Sequence, residues 1–112
     1  MIGLSMKSNS QILFLAFAAF LSFANTSSSK DEILDGAYLS GKSVRLSGFT
    51  VYFNSNGTYK AGRSKGNWIS CGNSICVTFD NGRKRRDTYF QRGSKFYVRN
   101  SAGTEFRVFS IK

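Results

Sequence analysis

The sequence contains no histidine, only two cysteines, and six acidic residues against sixteen Lys and Arg. Without histidine the commonest general base and the commonest metal ligand are both missing, so Ser-His-Asp and Cys-His catalysis and every histidine-based zinc site are excluded. Two cysteines cannot build a four-thiolate zinc site. No phosphate-binding loop, dinucleotide fingerprint or metal-ligand cluster occurs, so no cofactor and no metal are expected. The acids are few: Asp31, Glu32, Asp35, Asp80, Asp87 and Glu105. A glycosidase needs two carboxylates roughly 5 to 9.5 Å apart in a cleft. Asp80 and Asp87 could face each other across a hairpin, but the basic run between them makes salt bridging the simpler account. A non-enzymatic protein is therefore expected. The 112 residues allow one domain and leave no room for a second.

A long apolar run is also missing. Residues 12–24 form the most hydrophobic stretch, preceded by Lys7 and a polar stretch, and followed by Asn25, Thr26 and three serines. Crossing about 30 Å of hydrocarbon takes roughly 20 apolar residues, and no basic stop-transfer cluster follows. A buried N-terminal helix is the alternative, and the lack of a polar stripe argues against it. The segment reads instead as a signal peptide, residues 1–24, with the small residues Ser22 and Ala24 at the positions a peptidase reads. Met6 is the more typical signal start. Cleavage after Ala24 would remove Lys7 and lower the net charge of +10 by one. The expected destination is exported, periplasmic or secreted, with no membrane span in the mature chain.

What remains is rich in aromatics and glycine. At 41% hydrophobic and 15% aromatic the chain has enough apolar surface to offset the entropy of ordering. Residues 25–37 read as a polar lead, in which Ile33 and Leu34 could begin a short helical turn. From Leu39 onward the pattern has period two, which sends alternate side chains to opposite faces of a strand. Phe49, Val51 and Phe53 alternate with Thr50 and Tyr52; Ile75, Val77 and Phe79 alternate with Cys76 and Thr78; Phe106 and Val108 flank Arg107. Glycines at 48, 57, 66, 72, 82, 93 and 103 recur mostly every nine to eleven residues. Asn56-Gly57 and Asn81-Gly82 are two-residue hairpin signals of type I′.

About eight strands are predicted, near 43–47, 49–54, 58–62, 67–71, 75–80, 84–91, 95–99 and 104–111. The fold class is all-β: a small antiparallel meander over 38–112, closed or nearly closed into a barrel, because closure removes exposed edges. An interior of that size is filled by side chains or holds one small ligand. With Phe49, Phe53, Tyr59, Trp68, Phe79, Phe96 and Phe106 available, filling is expected. The stretch from Leu39 to Val44, then Asn56-Gly57-Thr58-Tyr59, Gly66-Asn67-Trp68-Ile69 and Gly72 to Val77, resembles small exported bacterial domains of unknown function with a lipocalin-like, or calycin-like, β-meander. Its Gly-x-Trp element lies mid-chain, whereas in lipocalins it opens the first strand. The resemblance implies a fold and a compartment, and no activity.

Cys71 and Cys76 flank a four-residue connection, which would place them near each other across a hairpin at a separation a disulfide accepts. Export makes the bond plausible; two free thiols are the alternative. A redox-active pair is disfavoured by the C-x4-C spacing and the absence of a following helix. Arg83, Lys84, Arg85 and Arg86 form the densest charge, joined by Arg92, Lys95 and Arg99 on the next hairpin. Since strand neighbours alternate faces, four consecutive cations cannot all point one way, and the tip should project into solvent or bulge. These seven residues are the candidate anion-binding patch, for an anionic envelope or extracellular polymer. The bland reading is a solvated hairpin that blunts edge pairing. Tyr89, Phe90, Phe96 and Tyr97 nearby resemble a nucleic-acid stacking platform, but the core needs half of those rings and an exported chain seldom meets nucleic acid. An inhibitor or interaction protein docking on an acidic secreted partner is the second expectation.

Overall fold

A computed structural model describes residues 30–112. The signal-peptide assignment and the start of the polar lead lie outside the described residues. Ten strands and one short helix follow in order: β1 (Asp31–Leu34), α1 (Gly36–Leu39), β2 (Lys42–Leu46), β3 (Phe49–Phe53), β4 (Thr58–Ala61), β5 (Ser64–Cys71), β6 (Ser74–Phe79), β7 (Lys84–Arg92), β8 (Lys95–Asn100), β9 (Glu105–Val108) and β10 (Ser110–Ile111). From β2 to β9 each strand pairs antiparallel with the next, and β10 returns to pair with β2. The result is a nearly closed, barrel-like antiparallel sheet. All eight expected strands are present, but the count is ten, for two reasons.

The last expected strand is two. β9 pairs with β8 as far as Val108 opposite Phe96, after which the chain changes partner. The Phe109 amide donates to the Arg45 carbonyl at 2.9 Å, and Ser110 and Ile111 lie opposite Arg45 and Val44. This partner exchange at Phe109 is the seam that closes the ring. The other addition is β1, where a helical turn was expected at Ile33 and Leu34. It lies along β7, with Asp31 opposite Arg92 and Leu34 opposite Tyr89. β6 covers only the first half of that side of β7, from Lys84 to Asp87, so β1 supplies the hydrogen-bond partners that the second half would lack. The helix follows at once, capped by Asp35, whose carboxylate accepts from the Tyr38 amide at 3.0 Å. Leu39, at the end of α1, is fully buried.

Alternation decides what faces inward. Val44, Leu46, Val51, Phe53, Tyr59, Ile75, Val77, Tyr89, Val98 and Val108 line one continuous core, with Trp68, Phe79 and Phe96 packed against it. Phe53 is its hub, meeting Tyr59, Trp68 and Tyr89 edge-on at centroid distances of 5.5, 5.5 and 5.4 Å. Each such pair contributes about 0.5–1.5 kcal/mol beyond burial, because ring edges are positive and faces negative. Gly66 sits opposite Phe79 on β5, where a Cβ would lie 2.8 Å from Phe79 Cα and closer still to the Thr78 carbonyl oxygen. Only glycine lets the two backbones approach there.

Successive turns alternate between the two ends of the barrel. The turns after β3, β5 and β7 share one end with α1 and Leu39; those after β2, β4, β6 and β8 share the other. The Asn-Gly turns differ from the two-residue type I′ form. Gly57 donates to the Asn54 carbonyl at 2.9 Å and Gly82 to the Phe79 carbonyl at 2.8 Å, in loops 54–57 and 80–83. Glycine, at φ 91 and 87, carries the positive φ at the fourth position. Asn56 and Asn81 instead use their side-chain oxygens to accept from the Thr58 and Arg83 amides, both at 3.0 Å.

Candidate functional site

The seven predicted cations separate into different environments. Arg83 and Lys84 stand exposed at the uncapped end of the barrel, at the β6–β7 turn and the start of β7. Arg85 points the other way. Its neighbours on the inner face are Val77 and Asp87, and its guanidinium clasps the Asp87 carboxylate with Nε 2.8 Å from Oδ2 and Nη2 2.9 Å from Oδ1. Asp87 is only 4% exposed, the one buried acid among the described residues. Burial works against the Arg85 charge, but the Asp87 hydrogen bond and charge more than offset it, and the guanidinium is held above its ordinary value. An inward arginine is thus tolerated because it is paired and near the mouth, rather than by bulging of the tip.

Arg86 points outward opposite Cys76, and Lys95 lies at the capped end. Arg92 and Arg99 are engaged elsewhere. They bridge to Asp31 at 2.7 and 3.1 Å and to Glu105 at 3.3 and 2.9 Å. Beneath them Phe90 stacks on Tyr97, with the Arg99 guanidinium 4.5 Å and the Arg92 guanidinium 5.1 Å from the Phe90 ring centre. This outer-wall cluster ties β1 to β7, β8 and β9. Hydrogen bonds from Arg92, supported by Arg99, hold both the Asp31 and Glu105 carboxyls below their ordinary values despite partial desolvation.

The uncapped end gains two cations that the sequence pattern did not single out. Arg63, in the β4–β5 turn, and Lys65, early on β5, join Arg83, Lys84 and Arg85 around a surface pocket of about 440 Å³. Asp80 is the only acid lining it. None of Arg63, Lys65, Arg83 and Lys84 has an ion-pair partner among the described residues. Turn parity in a meander puts the β4–β5 and β6–β7 turns at the same end, which is the signal that would have joined Arg63 to Arg83.

The same end is open. Phe49 and Phe106 point inward by register but are 43% and 49% exposed at the rim. Inside them lies a cavity of about 260 Å³ lined by Leu46, Val51, Tyr59, Tyr89 and Val98, with Arg85 and Asp87 at its side. Aromatic filling, expected throughout, holds toward the capped end and fails here. Burial, reinforced by the Asp87 charge, pushes the Tyr59 phenol up to about 12.

Cys71 and Cys76 form a disulfide with a Cα separation of 5.8 Å. They are not directly opposed: Cys71 faces Ser74 and Cys76 faces Ile69, so the bond runs diagonally on the outer wall. A loop this short contributes about 2 kcal/mol in the chain-entropy picture. Asp80 and Asp87 do not stand across from each other either, since Asp87 lies opposite Ile75 while Asp80 is in the turn. Among the described residues no helix is long and apolar enough to cross a membrane, and no three metal-ligating side chains cluster. Compared with protein-family models, with curated proteins and with solved structures, the chain matches none.

Proposed function

We propose that the chain is an exported, non-enzymatic binding protein that engages an anionic envelope or extracellular polymer through the uncapped end of its barrel. One observation carries this reading: Arg63, Lys65, Arg83 and Lys84 converge on a single pocket with no ion-pair partners among the described residues, and Asp80 is the only acid in its lining. Such a cluster raises the local concentration of anions and takes its affinity from released counterions. The exchange of Arg92 and Arg99 out of the patch narrows it to one end and one face. Consecutive antiparallel order around the ring gives a scaffold whose loops at one end carry the binding groups. The N-terminal segment supports export.

The test is retention on immobilised heparin as salt rises. The reading requires steeply salt-dependent retention, lost in the variant carrying Arg63→Gln, Lys65→Gln, Arg83→Gln and Lys84→Gln. Arg85 is left intact, since its loss would disturb the fold. Unchanged retention by the folded variant overturns the reading and favours docking on an acidic protein partner through another surface.

A further inference from the structure

The basic pocket and the interior cavity share a wall, and that wall is Arg85. Asp87 occupies Nε and Nη2 of its guanidinium, while Nη1 has no hydrogen-bond partner among the described residues and the side chain is 46% exposed. On one side of Arg85 stand Arg63, Lys65, Arg83 and Lys84. On the other is a largely apolar recess entered between Phe49 and Phe106, with Arg107 at its edge. We infer that this end of the barrel binds one small anionic amphiphile at a time, its apolar chain or ring in the recess and its phosphate or carboxylate head on the cations beside Arg85. The inference rests on the proposed anion-binding reading and adds to the polymer a second, small ligand that shares the cations of the same end.

Three features select this chemistry. Two large rings, each nearly half exposed at the mouth of an otherwise well-packed core, leave apolar area in water that an apolar group in the recess would cover. The head must be anionic, because the one buried carboxylate, Asp87, already has both oxygens on Arg85 and every other charged group around the two spaces except Asp80 is cationic. The molecule must be small: about 260 Å³ falls below the roughly 300–1,000 Å³ of pockets that take drug-sized ligands. A polymer lacking an apolar portion would use the cations and leave the recess untouched.

Calorimetric titration of the full exported chain with octyl phosphate, octanoate, octanol and inorganic phosphate, all below micellar concentrations, tests it. At least one of the two amphiphiles should bind with a stoichiometry of one and at least tenfold more tightly than octanol or inorganic phosphate; whichever is tighter identifies the head. Val98→Phe, which fills the recess, should abolish amphiphile binding while heparin retention persists. Phe106→Ser, on the exposed rim, should weaken the amphiphile several-fold without touching the core, and so serves if Val98→Phe fails to fold. If heparin is retained but neither amphiphile outbinds octanol and phosphate, or if the folded variants bind amphiphile as the parent does, the inference falls and the anion-binding reading stands. Loss of both heparin and amphiphile binding in the parent overturns both.

Discussion

Asp87 is gripped by Arg85 through two short contacts on the inner wall of the barrel, 2.8 Å at Nε and 2.9 Å at Nη2, with the carboxylate buried and the guanidinium half in solvent. The two partners are therefore unequal. Removing Arg85 strands a buried charge, whereas removing Asp87 leaves a cation that can turn to water. Arg85→Ala should cost about 3 kcal/mol and Asp87→Ala about half of that, with the double variant less damaging than Arg85→Ala alone. Urea unfolding of the three variants checks this, and strict additivity would contradict it.

The cluster of Asp31, Arg92, Arg99 and Glu105 is acid-sensitive. Because both carboxyls are held below their ordinary values of 3.8 and 4.5, the folded state binds protons less readily than the unfolded one. Their contribution is complete above about pH 4.5 and is lost as pH falls through the lowered values. Melting temperature followed from roughly pH 6 to pH 3 should drop in the parent. Asp31→Asn with Glu105→Gln should start lower and fall less. Amide exchange should show β1 loosening before the ring.

At the alkaline end the sign reverses. With the Tyr59 phenol pushed up to about 12, and Tyr89 also raised by burial, the folded state keeps protons that the unfolded state sheds. Stability is complete below the ordinary value of 10 and declines as pH rises toward 12. Phenolate absorbance should show Tyr59 and Tyr89 silent at that ordinary value in the folded protein and ionising in urea.

Gly66→Ala should destabilise by about 1–3 kcal/mol, because the added methyl meets backbone rather than a flexible side-chain end and the β5–β6 pair must part to admit it. A substitution at exposed Gly72, where nothing lies within 4 Å, meets no such contact and costs only its backbone strain. Equal melting temperatures for Gly66→Ala and the parent would show that the sheet yields there.

Much of the fold was legible because local rules govern a meander. Period-two runs gave the strands, and recurring glycines gave the turns within a residue or two, except Gly66, which lies inside β5 while the β4–β5 turn falls at Gly62 and Arg63. β1 was hidden because Asp31-Glu32-Ile33-Leu34 has no alternation worth reading; its strand character comes from the free side of β7, far along the chain. The break at Phe109 was hidden for a related reason, since it reflects a change of partner rather than of pattern. The site was legible in kind but not in membership. Charge density points to Arg83 and Lys84, yet alternation turns Arg85 inward, and only the fold reveals that Asp31 and Glu105 claim Arg92 and Arg99. The open mouth was missed because counting aromatics says nothing about which end they fill.

The most direct test of the basic end is the slope of log binding constant against log salt for a polyanion, measured one cation at a time. Neutralising Arg63, Lys65, Arg83 or Lys84 should each reduce the slope by about one, because each releases about one counterion on binding. Neutralising Lys95, at the capped end, should leave it unchanged. Equal effects at both ends would show that the net charge binds, and that the end of the barrel does not.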